Sequence, residues 1–214
     1  MINFDYLTLR AFVEENIDFL IDSRLQKIQQ PTRRDFILSF RNRQGGRKMY
    51  VNINPSFFHV CFLNDETMKR RDITFPKQPP MFCMLLRKHI ESAKVLDVRV
   101  PYYERILEID FKSSNEFDEN INLTLAIEMM GKYSNVILYN SDTKIILGCA
   151  HNVGSEKSRK REVAGILPYV YPPEQEYKKD ILRYNGEINY ETLNQDFLGI
   201  SKSFQELVKD KPLE

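Results

Sequence analysis

The side chains that could do chemistry are few and far apart. His59, His89 and His151 stand alone, and no His-Glu-x-x-His run accompanies them. His59 lies in an apolar run, which suits a core or edge residue better than a metal ligand. Cys61, Cys83 and Cys149 form neither a Cys-x-x-Cys pair nor an even set, so neither a zinc cluster nor a disulfide framework is expected. Gly45-Gly46 is not followed by Lys-Ser/Thr, so it reads as a turn rather than a phosphate loop. Ser155 and Ser158 have no base nearby in sequence. Cys83 sits on the apolar side of a helical run and is expected to be buried and inert. No self-sufficient catalytic constellation, metal site or small-molecule cofactor is expected.

Charge is the other source of chemistry. The chain carries 31 Lys and Arg against 30 Asp and Glu, so net charge names no partner. Segregation is more informative. Between Arg24 and Lys48 lie Arg24, Lys27, Arg33, Arg34, Arg41, Arg43, Arg47 and Lys48, with Asp35 the sole acid. Arg87-Lys88-His89 with Lys94 make a second basic group, and Lys157, Arg159, Lys160 and Arg161 a third. Acids collect elsewhere, at Glu116, Asp118, Glu119 and in the first helix. If folding joins these groups, the surface suits a phosphate backbone; otherwise each is an ordinary solvated run.

The elements that must position these residues follow from periodicity. Leu9, Phe12, Val13, Ile17, Leu20 and Ile21 predict an amphipathic helix over about Leu7–Arg24. Arg33–Arg41 alternates around Phe36, Leu38 and Phe40, and Asn42–Arg47 supplies a hairpin turn into Lys48–Asn54. Phe57–Leu63 reads as a further strand. Pro76, Pro79 and Pro80 precede a second helix over Met81–Lys94. Five strand-like runs follow: Lys94–Val100, Arg105–Phe111, Ile121–Met130, Asn135–Tyr139 and Lys144–Cys149. Asn152–Lys179 is polar and then Pro-rich, a loop leading to a linker. Tyr190–Phe197 and Lys202–Val208 suggest two short helices, with Gly199 ending one and Ser201 capping the next. That pattern fits a helix–hairpin–helix or a plain helical connector.

The fold class expected is therefore α+β: about eight antiparallel strands in two packed sheets, with flanking helices and a small helical subdomain. The start, Met1-Ile2-Asn3-Phe4-Asp5, carries no basic n-region, and no long apolar run follows. With three scattered cysteines, a reducing, cytoplasmic setting is expected, with no membrane partner.

Several runs together resemble the NFACT family. They are Phe4-Asp5 with Glu14-Glu15-Asn16, Arg24–Pro31, Phe82–His89, Glu104-Arg105-Ile106, Leu125–Leu138, and Arg161–Pro173. The most specific is Leu125–Leu138, which contains Glu128-Met129-Met130-Gly131-Lys132-Tyr133-Ser134-Asn135. Tyr6 stands where the family has Gly, Ala164 where Pro is usual, and Glu104 where it carries Asp. Residues 1–173 cover the N-terminal domain, and 174–214 a linker and the start of a helix–hairpin–helix subdomain. The resemblance implies a fold like the N-terminal domain of formamidopyrimidine-DNA glycosylases, without their N-terminal proline nucleophile.

It also implies a partner. Family members bind the large ribosomal subunit after a stalled ribosome splits, hold tRNA, and drive template-free tailing of the nascent chain, with alanine in bacteria. The Asp-Arg pair is needed for tRNA binding, so Glu104 and Arg105 inherit that role by position. The tRNA-contacting set expected here is Glu104, Arg105, Arg87, Lys88, Lys132 and Arg161. Arg105 could fork onto phosphate or stack on a base; on residues alone the pair could equally be a cross-strand ion pair of little weight. Two other classes stay open: a surface adhesin for fibronectin or fibrinogen, and a nucleic-acid-modifying enzyme of glycosylase-like fold.

Overall fold

The computed structural model describes residues 4–209 apart from 71–72, 102, 115–118, 155, 157–160, 174–176 and 182. Helix α1 spans Tyr6–Leu20. Asp5 caps it by accepting from the Thr8 amide at 3.0 Å. Leu9, Val13, Phe19 and Leu20 are its buried side. The helix stops four residues before the expected Arg24. Ile21 is extended, Asp22 takes φ 63 and donates its amide to the Val95 carbonyl, and the Ser23 carbonyl accepts from the Val95 amide, so the chain has already turned into the sheet.

The strands are β1 (Arg24–Thr32), β2 (Asp35–Asn42), β3 (Gly45–Asn52), β4 (His59–Leu63), β5 (Lys94–Arg99), β6 (Ile106–Ser114), β7 (Asn120–Glu128), β8 (Asn135–Asn140) and β9 (Ile146–Cys149). They form one antiparallel sheet in the order β4-β3-β2-β1-β5-β6-β7-β8-β9. The two packed sheets expected from sequence are instead one continuous sheet with two halves. They meet at β1 and β5, whose ladder is the single register pair Arg24↔Lys94, reinforced by the Leu25 amide donating to the Ala93 carbonyl and the Leu25 carbonyl accepting from the Ser92 amide. β1 hides its alternation. A bulge between Leu25 and Lys27 makes the buried residues Leu25 and Ile28 three apart rather than two.

Helix α2 (Asp65–Arg70) has no counterpart in the sequence reading; Asn64 accepts from the Thr67 amide at 2.7 Å at its start. Helix α3 spans Met81–Ile90 with Pro80 as its N-cap residue, and Cys83, Leu86 and Ile90 face inward. One large core unites α1, α3 and the sheet, from Leu9 and Leu20 through Phe36, Phe40 and Leu86 to Leu107, Phe111 and Leu138. A second apolar cluster (Ile106, Ala126, Ile137, Tyr139, Ile146) is covered by Val163 and Tyr169 of the segment after β9. That segment is stitched on through the bridges Ile145↔Pro168 and Val153↔Val163.

Helices α4 (Leu193–Asp196) and α5 (Lys202–Lys209) end the described chain. Gly199 takes φ 72, and the Ser201 hydroxyl accepts from the Phe204 amide at 3.1 Å. Leu193, Phe197 and Ile200 form their own small core, which also receives Leu7 of α1. Among the described residues no helix is long and apolar enough to cross a membrane.

Candidate nucleic-acid interface

Glu104 and Arg105 stand at the entrance to β6. The Glu104 amide bonds to the Pro101 carbonyl at 3.0 Å, closing a turn in which Tyr103 takes φ 60. The Arg105 carbonyl accepts from Met129 at 2.9 Å, so its backbone is clamped to the end of β7. The side chain is neither sealed in nor fully solvated. Its guanidinium carbon lies 5.5 Å from the centroid of the Phe58 ring. Burial pulls its pKa below the usual arginine value, opposed by the negative charges of Glu104 and Asp5. A partly desolvated guanidinium beside an aromatic face, in the field of two carboxylates, is available to a ligand from one side.

Asp5 ties this corner together. It is buried, caps α1, and accepts a hydrogen bond from the Ser201 hydroxyl of the helical subdomain. Tyr103 donates to Asp180 and packs on Tyr6, with ring centroids 5.3 Å apart. Tyr6 therefore sits in a helix, with the Asp5 cap extended at φ −103. The residue that replaces the family's glycine needs no left-handed backbone here.

Lys132 lies beside this corner. In the 3₁₀ turn Gly131–Tyr133, a Cβ added at Gly131 would meet the Pro55 carbonyl at 3.8 Å, so the turn borders the loop that carries Phe58. Gly131 takes φ 59. Lys132 Nζ lies 4.9 Å from the ring centroid of Tyr133, which is itself exposed. Arg34, Lys132, Tyr133, His151 and Asn152 line a cleft of about 420 Å³. Three cations from distant parts of the chain, Arg34, Arg105 and Lys132, thus gather at one end of the sheet.

Arg87 and Lys88 do not join them. They occupy the last turn of α3, where Arg87 Nε donates to the Ile28 carbonyl at 2.8 Å and lies 3.8 Å from Glu91. That end of α3 leads directly into Lys94. Convergence of all the basic segments around Glu104-Arg105 does not occur. The basic residues divide between opposite ends of β6, because Arg105 precedes its first residue and Lys112 lies near its last. Some of the first basic run is used locally: Arg47 lies 4.5 Å over Phe19 and 3.2 Å from Asn16.

Arg161 is not part of either surface. Its side chain is 13% exposed and bonds Glu128 through both terminal nitrogens, at 2.9 and 2.7 Å. Burial works against its charge, but the Glu128 carboxylate outweighs that and raises its pKa. Its geometry is that of an internal clamp rather than an RNA contact. Lys157, Arg159 and Lys160 of the same basic group lie outside the described residues, as do Glu116, Asp118, Ser155, Ser158 and Met1–Asn3.

The clamp belongs to a buried polar network that periodicity did not reveal. Glu108 and Glu128, both essentially inaccessible, share one face of β6 and β7. Glu108 accepts from Tyr139 and Tyr171, each at 2.8 Å, and pairs with Arg99 at 2.8 Å. Glu128 accepts from Tyr169 at 3.0 Å and from Arg161. Tyr139 and Tyr169 stack with centroids 4.3 Å apart. Burial and these carboxylates push all three phenols up, Tyr171 to about 12. The network pins the 161–171 segment to the sheet. Its one trace in the sequence is a glutamate inside each of two apolar strands, Ile106–Phe111 and Leu123–Glu128.

The family model described as "NFACT N-terminal and middle domains" matches residues 5–210.

This chain belongs to the NFACT family.

Among curated NFACT relatives, a protein named Rqc2 homolog RqcH from Streptococcus pneumoniae is 30% identical over 174 residues, covering 81% of this chain and 30% of its own length. The Rqc2 homolog RqcH of Bacillus subtilis is 28% identical over 213 residues, 94% of this chain and 36% of the relative. The chain thus spans about a third of the length of these relatives. Among solved structures, the N-terminal domain of the fibronectin-binding protein PavA from Streptococcus pneumoniae superposes with a TM-score of 0.84 at 28% identity. It covers 97% of this chain and 82% of that one. The N-terminal part of a fibronectin/fibrinogen-binding protein from Streptococcus suis gives 0.83 at 28% identity, with 95% and 77% coverage. The α+β NFACT fold expected from sequence is the fold observed.

Proposed function

We propose that this NFACT domain binds tRNA and the large ribosomal subunit in ribosome-associated quality control, supporting template-free alanine tailing of stalled nascent chains. The observation that carries this reading is Arg105. Arg105 is half-buried, with its guanidinium 5.5 Å from the Phe58 centroid and in the field of the Glu104 and Asp5 carboxylates, at the same end of the sheet as a cleft that adds Arg34, Lys132 and an exposed Tyr133. A preorganised cation with aromatic neighbours suits folded RNA, whose unpaired bases stack and whose phosphates need neutralising. The relatives named Rqc2 homolog RqcH support the same process. Within the domain, Glu104 orients Arg105, Lys132 and Arg34 neutralise phosphate, and no covalent step is assigned to the domain's own residues.

Arg105→Ala tests this. Binding of tRNA, followed by fluorescence anisotropy, is expected to weaken tenfold or more while the circular dichroism spectrum is unchanged. Wild-type affinity in the variant would remove the reading.

A second reading, attachment to fibronectin or fibrinogen, is supported by what the structural neighbours from Streptococcus pneumoniae and Streptococcus suis are said to bind. Saturable binding of the domain to immobilised fibronectin, unaffected by competing tRNA, would favour it.

A further inference from the structure

Three cations stand side by side at the end of the sheet remote from Arg105. The register pairs Arg24 of β1 with Lys94 of β5, and Lys94 with Lys112 of β6. Directly paired residues project from the same face of a sheet, with neighbouring strands about 4.8 Å apart. Arg24, Lys94 and Lys112 therefore form a row across three adjacent strands. All three line one open cleft of about 460 Å³, together with Ser92, Ser113, Ser114 and Asn120.

Like charges placed directly opposite one another on a sheet are destabilising. The fold relieves this row only in part. Lys94 bonds Asp22 at 2.5 Å, and Arg24 spends one terminal nitrogen on the Ser92 carbonyl at 2.9 Å. Lys112 is exposed, and its ammonium has no ion-pair or hydrogen-bond partner among the described residues. Among the described residues lining the cleft, Glu91 is the one carboxylate, and it lies 3.8 Å from Arg87. Hydroxyl and amide groups complete a polar floor. A row of cations that costs stability in the free protein, set over hydrogen-bond donors, is arranged for a ligand carrying successive negative charges.

We infer that this cleft is a second binding site for an RNA phosphodiester backbone, distinct from the Arg105 corner and used together with it. The inference rests on the RNA-binding reading above for the identity of the polyanion. From Arg105 to Lys112 the strand advances seven residues, roughly 20 Å. That separation exceeds the reach of a mononucleotide, and an odd step along an unbulged strand turns the two side chains to opposite faces, so a ligand touching both sites must be a folded RNA that wraps past the strand. The cleft contributes affinity without sequence preference, since lysine and arginine on phosphates carry none. Arg87 and Lys88, on the neighbouring last turn of α3, border it.

The test measures tRNA affinity against salt for the whole chain, its Lys112→Gln variant, and the Arg24→Gln/Lys112→Gln double variant. The slope of log K against log salt is expected to become shallower by about 0.7–0.9 for each cation removed, and affinity to fall about fivefold per cation near 0.15 M salt. Lys112→Gln is expected to melt at the same temperature as the parent or higher, because it relieves repulsion; this separates lost binding from lost fold. Unchanged slopes in both variants would overturn the site, whatever Arg105→Ala does. If instead Arg105→Ala binds like the parent while the row variants lose slope, the Arg105 reading fails and the cleft stands.

Discussion

At the residue scale, what distinguishes the charged side chains is where each one spends its charge. Arg105 and Arg161 look alike in sequence, each a cation inside a family run. Arg105 is only partly buried and has no carboxylate bonded to its guanidinium among the described residues, whereas Arg161 is consumed by Glu128 inside the protein. Glu128→Gln should therefore act on stability. It strands a buried guanidinium, and breaking a buried pair by removing one partner costs about 3–5 kcal/mol; urea unfolding would register the loss. The phenols make a matching pH prediction. Tyr139, Tyr169 and Tyr171 are all raised above the ordinary value of 10.0, Tyr171 to about 12. A phenol raised in the folded state stabilises the fold fully below the unfolded value. That contribution is lost as pH climbs toward the folded value. The thermal midpoint should fall between about pH 10 and 12, and Tyr171→Phe should flatten the fall.

At the element scale, position depends on turns as much as on the helices and strands they join. The helical subdomain is seated on α1 through Gly199. A Cβ at that position would come within 2.7 Å of Tyr103 and 2.9 Å of Tyr6, at a φ of 72 that side chains resist. Gly199→Ala is expected to loosen α5 from Asp5 and to lower stability by about 1–3 kcal/mol. Hydrogen exchange should show faster exchange in α5 and around Ser201, with β6 and β7 unchanged. Most elements were legible because their apolar spacing is regular: α3, β2 with β3, and β5 through β8 lie within a few residues of expectation. The exceptions have causes. α1 ends early at a left-handed Asp22, the β1 alternation is broken by a bulge, and α2 is too short to show a period.

At the scale of the whole molecule, the sheet decides which charges meet. Its halves share one core across the β1–β5 seam. Heating should therefore give a single transition, with far-ultraviolet circular dichroism and tyrosine fluorescence coincident. Two separated transitions would mean that the halves melt independently. The same sheet places Arg34, Arg105 and Lys132 at one end, and Arg24, Lys94 and Lys112 at the other. RNA binding across both ends would be more salt-dependent than either end alone explains.

The sequence by itself determined the α+β class, most element positions and the family. Those properties reside in local periodicity, turn residues and ordered runs, which need no knowledge of what packs against what. Only the tertiary structure decided that the basic segments divide, that Arg161 turns inward, and that Arg24, Lys94 and Lys112 align. Ion pairing and strand register join residues tens of positions apart, and no local pattern carries the register between β1 and β5. A charged side chain reads the same in sequence whether it meets a buried carboxylate or open water, so its role is settled by the neighbour that folding supplies.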